Sequence, residues 1–250
     1  MAGHEVVVHT AFVVLWKARM PAAERDDIDL NGARNVARAA LANSVRRLVH
    51  ASSVAAYDTT LNPPQGVVSE DFPLGRGESF FYYANGKAAV ERLLLEVMGG
   101  SPSVLTFLRP TFIAGPCNRD TISSMQTENM QVSGHDPAQS WVHEDDVAAA
   151  FAQAVLDDMP GAYNVVPDDA IKMSEALQAV GVTSPRSVPL WLAHMITNFQ
   201  WRYRNGQTHP VWVDVMYVHG DRTFSNAKLR ATGWQPRFSS AEALHDAVRS

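Results

Sequence analysis

Apolar runs of strand length alternate with segments of helical periodicity from the start of the chain to about residue 166. Four of these runs lie at residues 5–10, 47–51, 104–109 and 162–166. Strands that alternate with helices along a chain usually form a parallel sheet, because each helix carries the chain back to the start of the next strand. The pattern therefore predicts an α/β fold, a parallel sheet with flanking helices, and it predicts that one helix begins at Gly32.

The pattern changes after Pro167. A short helix is predicted near 173–180, and it is followed by an aromatic-rich helix at 189–204, a strand-like segment at 218–223 and two closing helices at 225–230 and 239–248. We therefore expect a sheet-containing part at 1–167 and a smaller C-terminal lobe at 168–250. Within the first part, the polar residues 117–140 predict an excursion with little regular structure.

The aromatic-rich helix leaves three interpretations open. Its Trp, Phe, Met and Leu side chains could pack inward as the core of the lobe, line an apolar substrate pocket or touch a membrane surface. Large apolar residues at helical spacing usually face a core, so we expect the helix to pack inward.

Composition removes several classes of function. The chain has 250 residues, of which 46% are hydrophobic, and its net charge of −5 provides no basic surface for nucleic acid. A single cysteine, Cys117, allows no intrachain disulfide. We assign no metal, because four of the histidines lack zinc-site spacing: His135, His143, His209 and His219. No apolar run is long enough to span a membrane, and we expect a cytoplasmic protein.

The clearest candidate chemistry is a tyrosine four residues before a lysine, Tyr83 and Lys87, at the start of a predicted helix. The i,i+4 spacing places both side chains on one helix face, where an ammonium favours the ionised form of a nearby phenol. A free tyrosine, with a pKa near ~10, needs such help to move protons at neutral pH. Ser53, at the end of the second predicted strand, is the candidate hydroxyl that would position the reacting group.

Several other segments lie in register with this pair. They are the strand ending His50-Ala51-Ser52-Ser53, the run from Arg109 to Pro116, the segment from Trp141 to Val147, the helix from Ser225 to Arg230, and the turn Thr232-Gly233-Trp234-Gln235-Pro236. Taken together, they resemble the extended short-chain dehydrogenase/reductase family, the NAD-dependent epimerase/dehydratase group. The resemblance implies a Rossmann-like dinucleotide-binding domain at 1–167, with residues 117–140 on the substrate side, and a substrate-binding lobe at 168–250. It also implies an NAD- or NADP-dependent oxidoreductase or epimerase/dehydratase that acts on a small molecule bearing a hydroxyl or carbonyl group.

The resemblance also implies roles for individual residues. Tyr83 would be the catalytic acid or base, Lys87 would lower its pKa and bind the nicotinamide ribose, and Ser53 would hydrogen-bond the reacting oxygen. Ser53 stands four residues before Tyr57, which matches the family's Ser-x-x-x-Tyr pattern, and Ser52 remains the alternative hydroxyl. The expected cofactor-binding residues are His9, Thr10, Ala11, Asp29, Ser52, Lys87, Pro110, Thr111 and Phe112. For His9 to Ala11 and for Pro110 to Phe112, the alternative is ordinary packing in strands and loops.

The sequence departs from the family in three places. Asp29 stands where the family usually has Asn, Phe112 and Ile113 are apolar where nucleotide-sugar enzymes often carry an Asn, and only 24 residues separate Pro116 from Trp141. These departures favour a smaller or more apolar substrate, and a UDP- or dTDP-sugar remains open.

The family's opening strand and its Gly-x-x-Gly-x-x-Gly turn, which hold the cofactor pyrophosphate, have no counterpart in this sequence. The chain is therefore expected to be N-terminally truncated relative to the family, with Met1 an internal methionine of a longer protein; a natural remnant with altered activity is the alternative. A strand at 5–10 without its neighbour would favour homodimers or other edge-strand association. A non-catalytic relative that binds a partner or a small molecule is the second functional hypothesis.

Overall fold

The computed structural model describes residues 3–13, 22–77, 82–203, 213–218 and 221–249. In chain order, its strands and helices are β1 (Val6–His9), α1 (Ala22–Ala42), β2 (Arg47–Ala51), β3 (Val67–Val68), α2 (Tyr82–Met98), β4 (Val104–Pro110), β5 (Phe112–Ala114), α3 (Asp120–Glu128), β6 (Met130–Val132), β7 (Ala138–Gln139), β8 (Trp141–His143), α4 (Glu144–Leu156), β9 (Gly161–Val165), β10 (Ile171–Lys172), α5 (Met173–Ala179), β11 (Arg186–Val188), α6 (Leu190–Tyr203), β12 (Thr223–Phe224), α7 (Ala227–Arg230) and α8 (Ser240–Arg249).

The central sheet has four parallel strands in the order β1-β2-β4-β9. Its register places His9 beside His50 and Ala51 beside Leu108. The four strands correspond to the four apolar runs of the sequence, so the predicted α/β fold with a parallel sheet and flanking helices is confirmed.

The two faces of the sheet carry different cores, because successive side chains of a strand point to opposite faces. Leu48 of β2 and Phe107 of β4 pack with residues of α1 and α2. Val49 and Leu108, one position further along each strand, pack with residues of α4, β9 and α7. The sheet is thus buried on both faces, as near-continuous apolar strands require.

Helix α1 begins earlier than the sequence predicted. It is already helical at Ala22, well before Gly32. Acidic residues favour a helix N-terminus, and α1 carries Glu24 in its first turn. A single glycine inside a helix costs only about 1 kcal/mol relative to alanine, so Gly32 did not need to mark a start.

The polar excursion at 117–140 contains α3, β6 and β7, so the prediction of little regular structure was wrong. Ile122 and Met125, three residues apart on α3, are buried in a second core. Strand β6 pairs in parallel with β11, which ties the excursion to the C-terminal part of the chain. The Ser, Thr and Gln residues between the buried positions obscured this helical spacing in the sequence.

The second core gathers residues of α3, β6, β8, α5, α6 and α8. The short helix at 173–180 and both closing helices lie close to where they were predicted. The strand-like segment predicted at 218–223 differs, because residues 214–218 form a π-helical turn and the strand β12 lies at 223–224. Residues 219–220 of that prediction lie outside the described residues.

The aromatic-rich helix α6 does not pack inward along its whole length as expected. Trp191, Met195, Phe199 and Tyr203 are 63%, 59%, 56% and 70% exposed. These four side chains repeat every fourth residue and share one helix face. The buried residues of α6 are small, Ala193 and Thr197, and lie on another face. Small residues face the core here because they let the helix approach it closely.

Strand β1 lies at the edge of the central sheet, and among the described residues its hydrogen-bonded neighbour is β2 alone. Val8 of this strand is 43% exposed. Association of two chains through this edge stays a prediction. Within the described ranges, no helix is both long and apolar enough to cross a membrane.

Candidate functional site

The candidate site lies where the parallel strands end. His9, Ala51 and Pro110 are the last residues of β1, β2 and β4. Helix α2 starts at Tyr82 and brings Tyr83 and Lys87 to this edge. The carboxyl ends of parallel strands are where open α/β sheets bind ligands, so the predicted residues meet at the expected part of the fold.

Lys87 is held firmly against the sheet. Its Nζ donates a hydrogen bond to the carbonyl oxygen of Ala51 at 2.7 Å, and the residue is only 4% exposed. The pKa of Lys87 is lowered to about 8, chiefly because burial disfavours the charged form, while the carboxylates of Asp29 and Glu91 act in the opposite direction. A lysine with this pKa carries its charge over most of the neutral range.

Tyr83 and Ser53 are brought together as the sequence predicted. A side-chain hydrogen bond joins them. The Oγ of Ser53 also accepts from the backbone N–H of Ala55 at 3.1 Å and lies 3.4 Å from the carbonyl oxygen of Pro110. These contacts fix the serine hydroxyl beside the phenol, so Ser53 can position an oxygen that exchanges a proton with Tyr83.

The phenol pKa differs from the expectation. Burial raises the pKa of Tyr83 to about 12, and the hydrogen bond to Ser53 only partly opposes this. The Nζ of Lys87 lies 5.5 Å from the centre of the Tyr83 ring, and its close partners are elsewhere. In this conformation Tyr83 is therefore protonated at neutral pH, which suits it to donate a proton rather than to remove one.

Ser52, the alternative hydroxyl, points into a different network. Its Oγ donates to Oε1 of Glu91, a residue with no exposed surface. Glu91 also pairs with Arg109, whose Nε and Nη2 lie 2.9 and 2.6 Å from the two carboxylate oxygens. Arg109 in turn covers the ring of Tyr57. The geometry thus favours Ser53 over Ser52 as the hydroxyl beside Tyr83, and the hydroxyl of Ser52 links α2 to the end of β2.

Tyr57 is likewise held by buried contacts. Its hydroxyl donates to Oδ1 of Asn164 at 2.6 Å, and burial raises its pKa to about 12. The Glu91–Arg109 pair was not found from the sequence. The available signal was the spacing of Tyr83, Lys87 and Glu91 at four-residue intervals, which places an acidic residue on the buried face of α2.

Two histidines face each other below Lys87. The Nδ1 atoms of His9 and His50 are 3.0 Å apart, and His50 is fully buried, with no hydrogen-bond partner for its Nε2 among the described residues. Burial and the nearby Lys87 charge lower the pKa of both histidines. The pair therefore stays neutral at neutral pH.

Asp29 reaches the site from α1. It is 6% exposed, and its Oδ1 accepts the backbone N–H of Val13 at 2.8 Å. Burial raises its pKa, which the Val13 hydrogen bond and the charge of Lys87 oppose. Asp29 thus makes two interactions at the site: a hydrogen bond to the segment after β1 and an electrostatic interaction with Lys87.

The remaining predicted residues are spread over a wider area. Thr10 and Ala11 are exposed just beyond β1. Thr111 donates to the carbonyl oxygen of Ser140 at 3.0 Å, and Phe112 stacks on Trp141 at a centroid distance of 4.9 Å. The contacts of Thr111 and Phe112 therefore lie toward the second core, whereas Pro110 lies beside Ser53.

Phe12 was not singled out from the sequence. The centre of its ring lies 4.0 Å from Nζ of Lys87, and the ring meets Tyr83 edge-on at a centroid distance of 5.3 Å. Phe12 is part of the apolar run that continues β1, so its side chain could not be distinguished from a packing residue.

The arrangement can support proton transfer at a carbinol or carbonyl oxygen through Ser53 and Tyr83. The ammonium of Lys87, held at the strand ends, is a group that can donate hydrogen bonds to the hydroxyls of a ribose.

Known proteins resemble this chain in sequence and in fold. Residues 1–165 match the NAD dependent epimerase/dehydratase family. An uncharacterized protein of Mycobacterium tuberculosis (strain ATCC 25618 / H37Rv) is 23% identical over 98% of this chain and 65% of its own length. The N-acetyl-α-D-glucosaminyl-diphospho-ditrans,octacis-undecaprenol 4-epimerase of Escherichia coli O157:H7 is 32% identical over 101 residues, which are 40% of this chain and 28% of the epimerase.

Two solved structures show the same fold. The crystal structure of gox2253 has a TM-score of 0.74 and 20% identity, and the match covers 99% of this chain and 78% of that one. The UDP-glucose 4-epimerase of Thermus thermophilus in complex with NAD has a TM-score of 0.69 and 20% identity, with 98% and 77% covered. The chain thus spans about 65% of the length of the mycobacterial relative and more of these structures.

Proposed function

The chain belongs to the NAD dependent epimerase/dehydratase family, and from this premise we propose that it serves an NAD- or NADP-dependent oxidoreductase, epimerase or dehydratase reaction at a carbinol or carbonyl carbon. A bound nicotinamide supplies an acceptor or donor for hydride. The chain itself supplies proton transfer and positions the reacting oxygen. The observation that carries the proposal is the meeting of Ser53, Tyr83 and Lys87 at the carboxyl edge of the sheet.

Each residue has a distinct role in the proposal. Ser53 holds the substrate oxygen through its fixed hydroxyl, and Tyr83 gives a proton to that oxygen when a carbonyl is reduced and takes one when a carbinol is oxidised. Lys87 binds ribose hydroxyls, and its ammonium, 5.5 Å from the centre of the Tyr83 ring, favours the ionised phenol when Tyr83 passes its proton on. Proton transfer by a positioned side chain contributes about 10²–10⁴-fold to a rate.

The cofactor would extend from Lys87 across the strand ends. The residues proposed to line this path are His9, Thr10, Ala11, Asp29, Ser52, Pro110, Thr111 and Phe112. Of these, Pro110 has its carbonyl oxygen 3.4 Å from Oγ of Ser53, and His9 and Asp29 interact electrostatically with Lys87. The proposal includes both NAD and NADP.

The substrate proposal follows from the relatives and from the excursion. The Escherichia coli relative acts on a sugar joined to a polyprenol through a diphosphate, and the Thermus thermophilus enzyme acts on a UDP-sugar. A sugar hydroxyl is therefore the first candidate, with a smaller or more apolar alcohol or ketone as the alternative.

The test combines binding and turnover. The chain is titrated by calorimetry with NAD and NADP, and turnover is followed with a panel of UDP-sugars and small alcohols. Tyr83→Phe keeps the ring but removes the proton donor, so we expect turnover to fall at least about 100-fold with little change in nucleotide affinity. Tyr203→Phe, on the exposed face of α6, is the matched control. Unchanged turnover in Tyr83→Phe would remove Tyr83 from the mechanism.

A non-catalytic relative is the second candidate. One observation favours it: the ring centre of Phe12 lies 4.0 Å from Nζ of Lys87, on the side where a cofactor would have to approach. In that case neither nucleotide binds to the chain in the same titration, and two chains pair through the exposed edge of β1.

A further inference from the structure

Phe12 covers one side of the Lys87 ammonium. Its ring centre is 4.0 Å from Nζ, within the range of a cation–π contact. The ring also packs closely on the backbone of α2 at Gly86. A Cβ added at Gly86 would lie only 2.9 Å from Cζ of Phe12. The absence of a side chain at Gly86 is therefore what lets the ring approach α2 so closely.

The ammonium has little room for another partner in this arrangement. An ammonium has three N–H donors, and one of them is taken by the carbonyl oxygen of Ala51 at 2.7 Å. A ribose hydroxyl would have to come within about 3 Å of Nζ to bond it. With the ring of Phe12 at 4.0 Å and Lys87 only 4% exposed, a hydroxyl cannot approach from the side of the ring.

The segment that carries Phe12 has its own anchor. The backbone N–H of Val13, the next residue, donates to Oδ1 of Asp29 at 2.8 Å. Asp29 is 6% exposed and belongs to α1, which packs against α2 in the same core cluster. The carboxylate thus holds the backbone next to Phe12, and the ammonium attracts the ring itself.

We propose that Phe12 is a gate: in the closed position its ring takes the place of the nicotinamide ribose beside Lys87, and dinucleotide binding requires the ring to leave. This inference depends on the proposed function, because it assigns the covered side of Lys87 to a cofactor. It makes Phe12 a residue that sets the affinity of the site, and Asp29 the residue that positions the gate.

A gate weakens binding in proportion to its closed population. The apparent dissociation constant equals the intrinsic one divided by the fraction of molecules that are open. The closed contact is one partly desolvated cation–π pair with a ring that also packs on Gly86 and Tyr83. Contacts of this kind predict a closed state favoured about tenfold, so removing the ring should tighten nucleotide binding by about tenfold.

The test compares Phe12→Ala with Phe199→Ala, which removes an exposed phenylalanine from α6. Affinity for NAD and NADP is measured by calorimetry in both variants and in the parent chain. The accessibility of Lys87 is measured separately, without nucleotide, from the rate at which an amine-reactive reagent modifies it at pH 8, quantified by mass spectrometry. Circular dichroism checks folding, and Phe12→Leu replaces Phe12→Ala if the smaller side chain prevents folding.

The gate predicts about tenfold tighter binding and several-fold faster Lys87 modification in Phe12→Ala, with both quantities unchanged in Phe199→Ala. For Phe12→Leu the same direction with a smaller change is expected, since leucine keeps bulk but lacks the π face. Equal or weaker nucleotide binding in Phe12→Ala than in the parent overturns the gate and leaves the proposed function intact. If no form of the chain binds either nucleotide, the proposed function fails and the gate falls with it.

Discussion

Glu91 offers a strong test of what holds the site together. Its carboxylate has no exposed surface and faces three donors: the hydroxyl of Ser52 and the Nε and Nη2 of Arg109. The arginine side chain is 5% exposed. This ion pair joins α2, which carries Tyr83 and Lys87, to β4. Glu91→Gln keeps the shape of the side chain but removes its charge and leaves the guanidinium without a counter-ion.

The magnitude follows from the burial of both partners. Removing one member of a buried ion pair costs about 3–5 kcal/mol, because the other charge stays buried and uncompensated. Glutamine can still accept from one donor, so we expect about 3 kcal/mol. For a domain of this size each kcal/mol lowers the melting temperature by about 2–4 °C, which predicts a decrease of about 6–12 °C.

The assay is thermal and urea unfolding of the parent chain, Glu91→Gln and the control Glu96→Gln. Glu96 lies on the same helix and is exposed, so its variant should stay within about 0.5 kcal/mol of the parent. A double variant with Arg109→Met should recover much of the loss, since it removes the unpaired charge as well. If Glu91→Gln unfolds within error of Glu96→Gln, the buried pair does not stabilise the site and the reasoning is refuted.

Two further predictions concern charges near Lys87. The pKa values of His9 and His50 are lowered in the folded chain, so the unfolded chain binds more protons just below pH 6.5, and stability is lost as the pH falls through that region. His50→Phe should reduce the slope of this loss by up to about 1.4 kcal/mol per pH unit. The slope is measured by urea unfolding from pH 5 to 7. An unchanged slope would mean that His50 is not a source of the effect. Asp29→Asn keeps an acceptor for the backbone N–H of Val13 but removes a charge that raises the pKa of Lys87. The pKa of Lys87 should therefore fall below about 8 in an NMR titration of labelled lysine. A constant titration midpoint would contradict the coupling between Asp29 and Lys87.

The main strands could be predicted because their apolar runs are nearly continuous. The run at 47–51 is the clearest case, since β2 has a neighbour on either side and its residues are buried or nearly so. The excursion at 117–140 could not be predicted in the same way, because only Ile122 and Met125 mark the buried face of α3 among polar residues. The orientation of α6 was missed because the sequence shows where apolar residues repeat but not which face meets the core.

The candidate site, like the fold, could be predicted from the sequence only in part. The spacing of Tyr83 and Lys87 is a local property of one helix, so the sequence could place them on one face. The contact of Tyr83 with Ser53 joins residues 30 positions apart and was expected from the family resemblance. Phe12 and Glu91 act through distances set by packing between α1, α2 and the sheet, and no short motif marks such contacts.

The two halves of the site differ in how firmly they are held. Lys87 is bonded to β2 through Ala51, and its helix is joined to β4 by the Glu91–Arg109 pair, so moving the ammonium would break buried polar contacts at both places. Moving the ring of Phe12 costs less free energy. Phe12 follows an exposed stretch beyond β1, and one hydrogen bond, from the backbone of Val13 to Asp29, anchors its segment. If a dinucleotide reaches Lys87, the lower-cost movement is therefore that of the segment carrying Phe12, while α2 keeps the phenol and the ammonium in place.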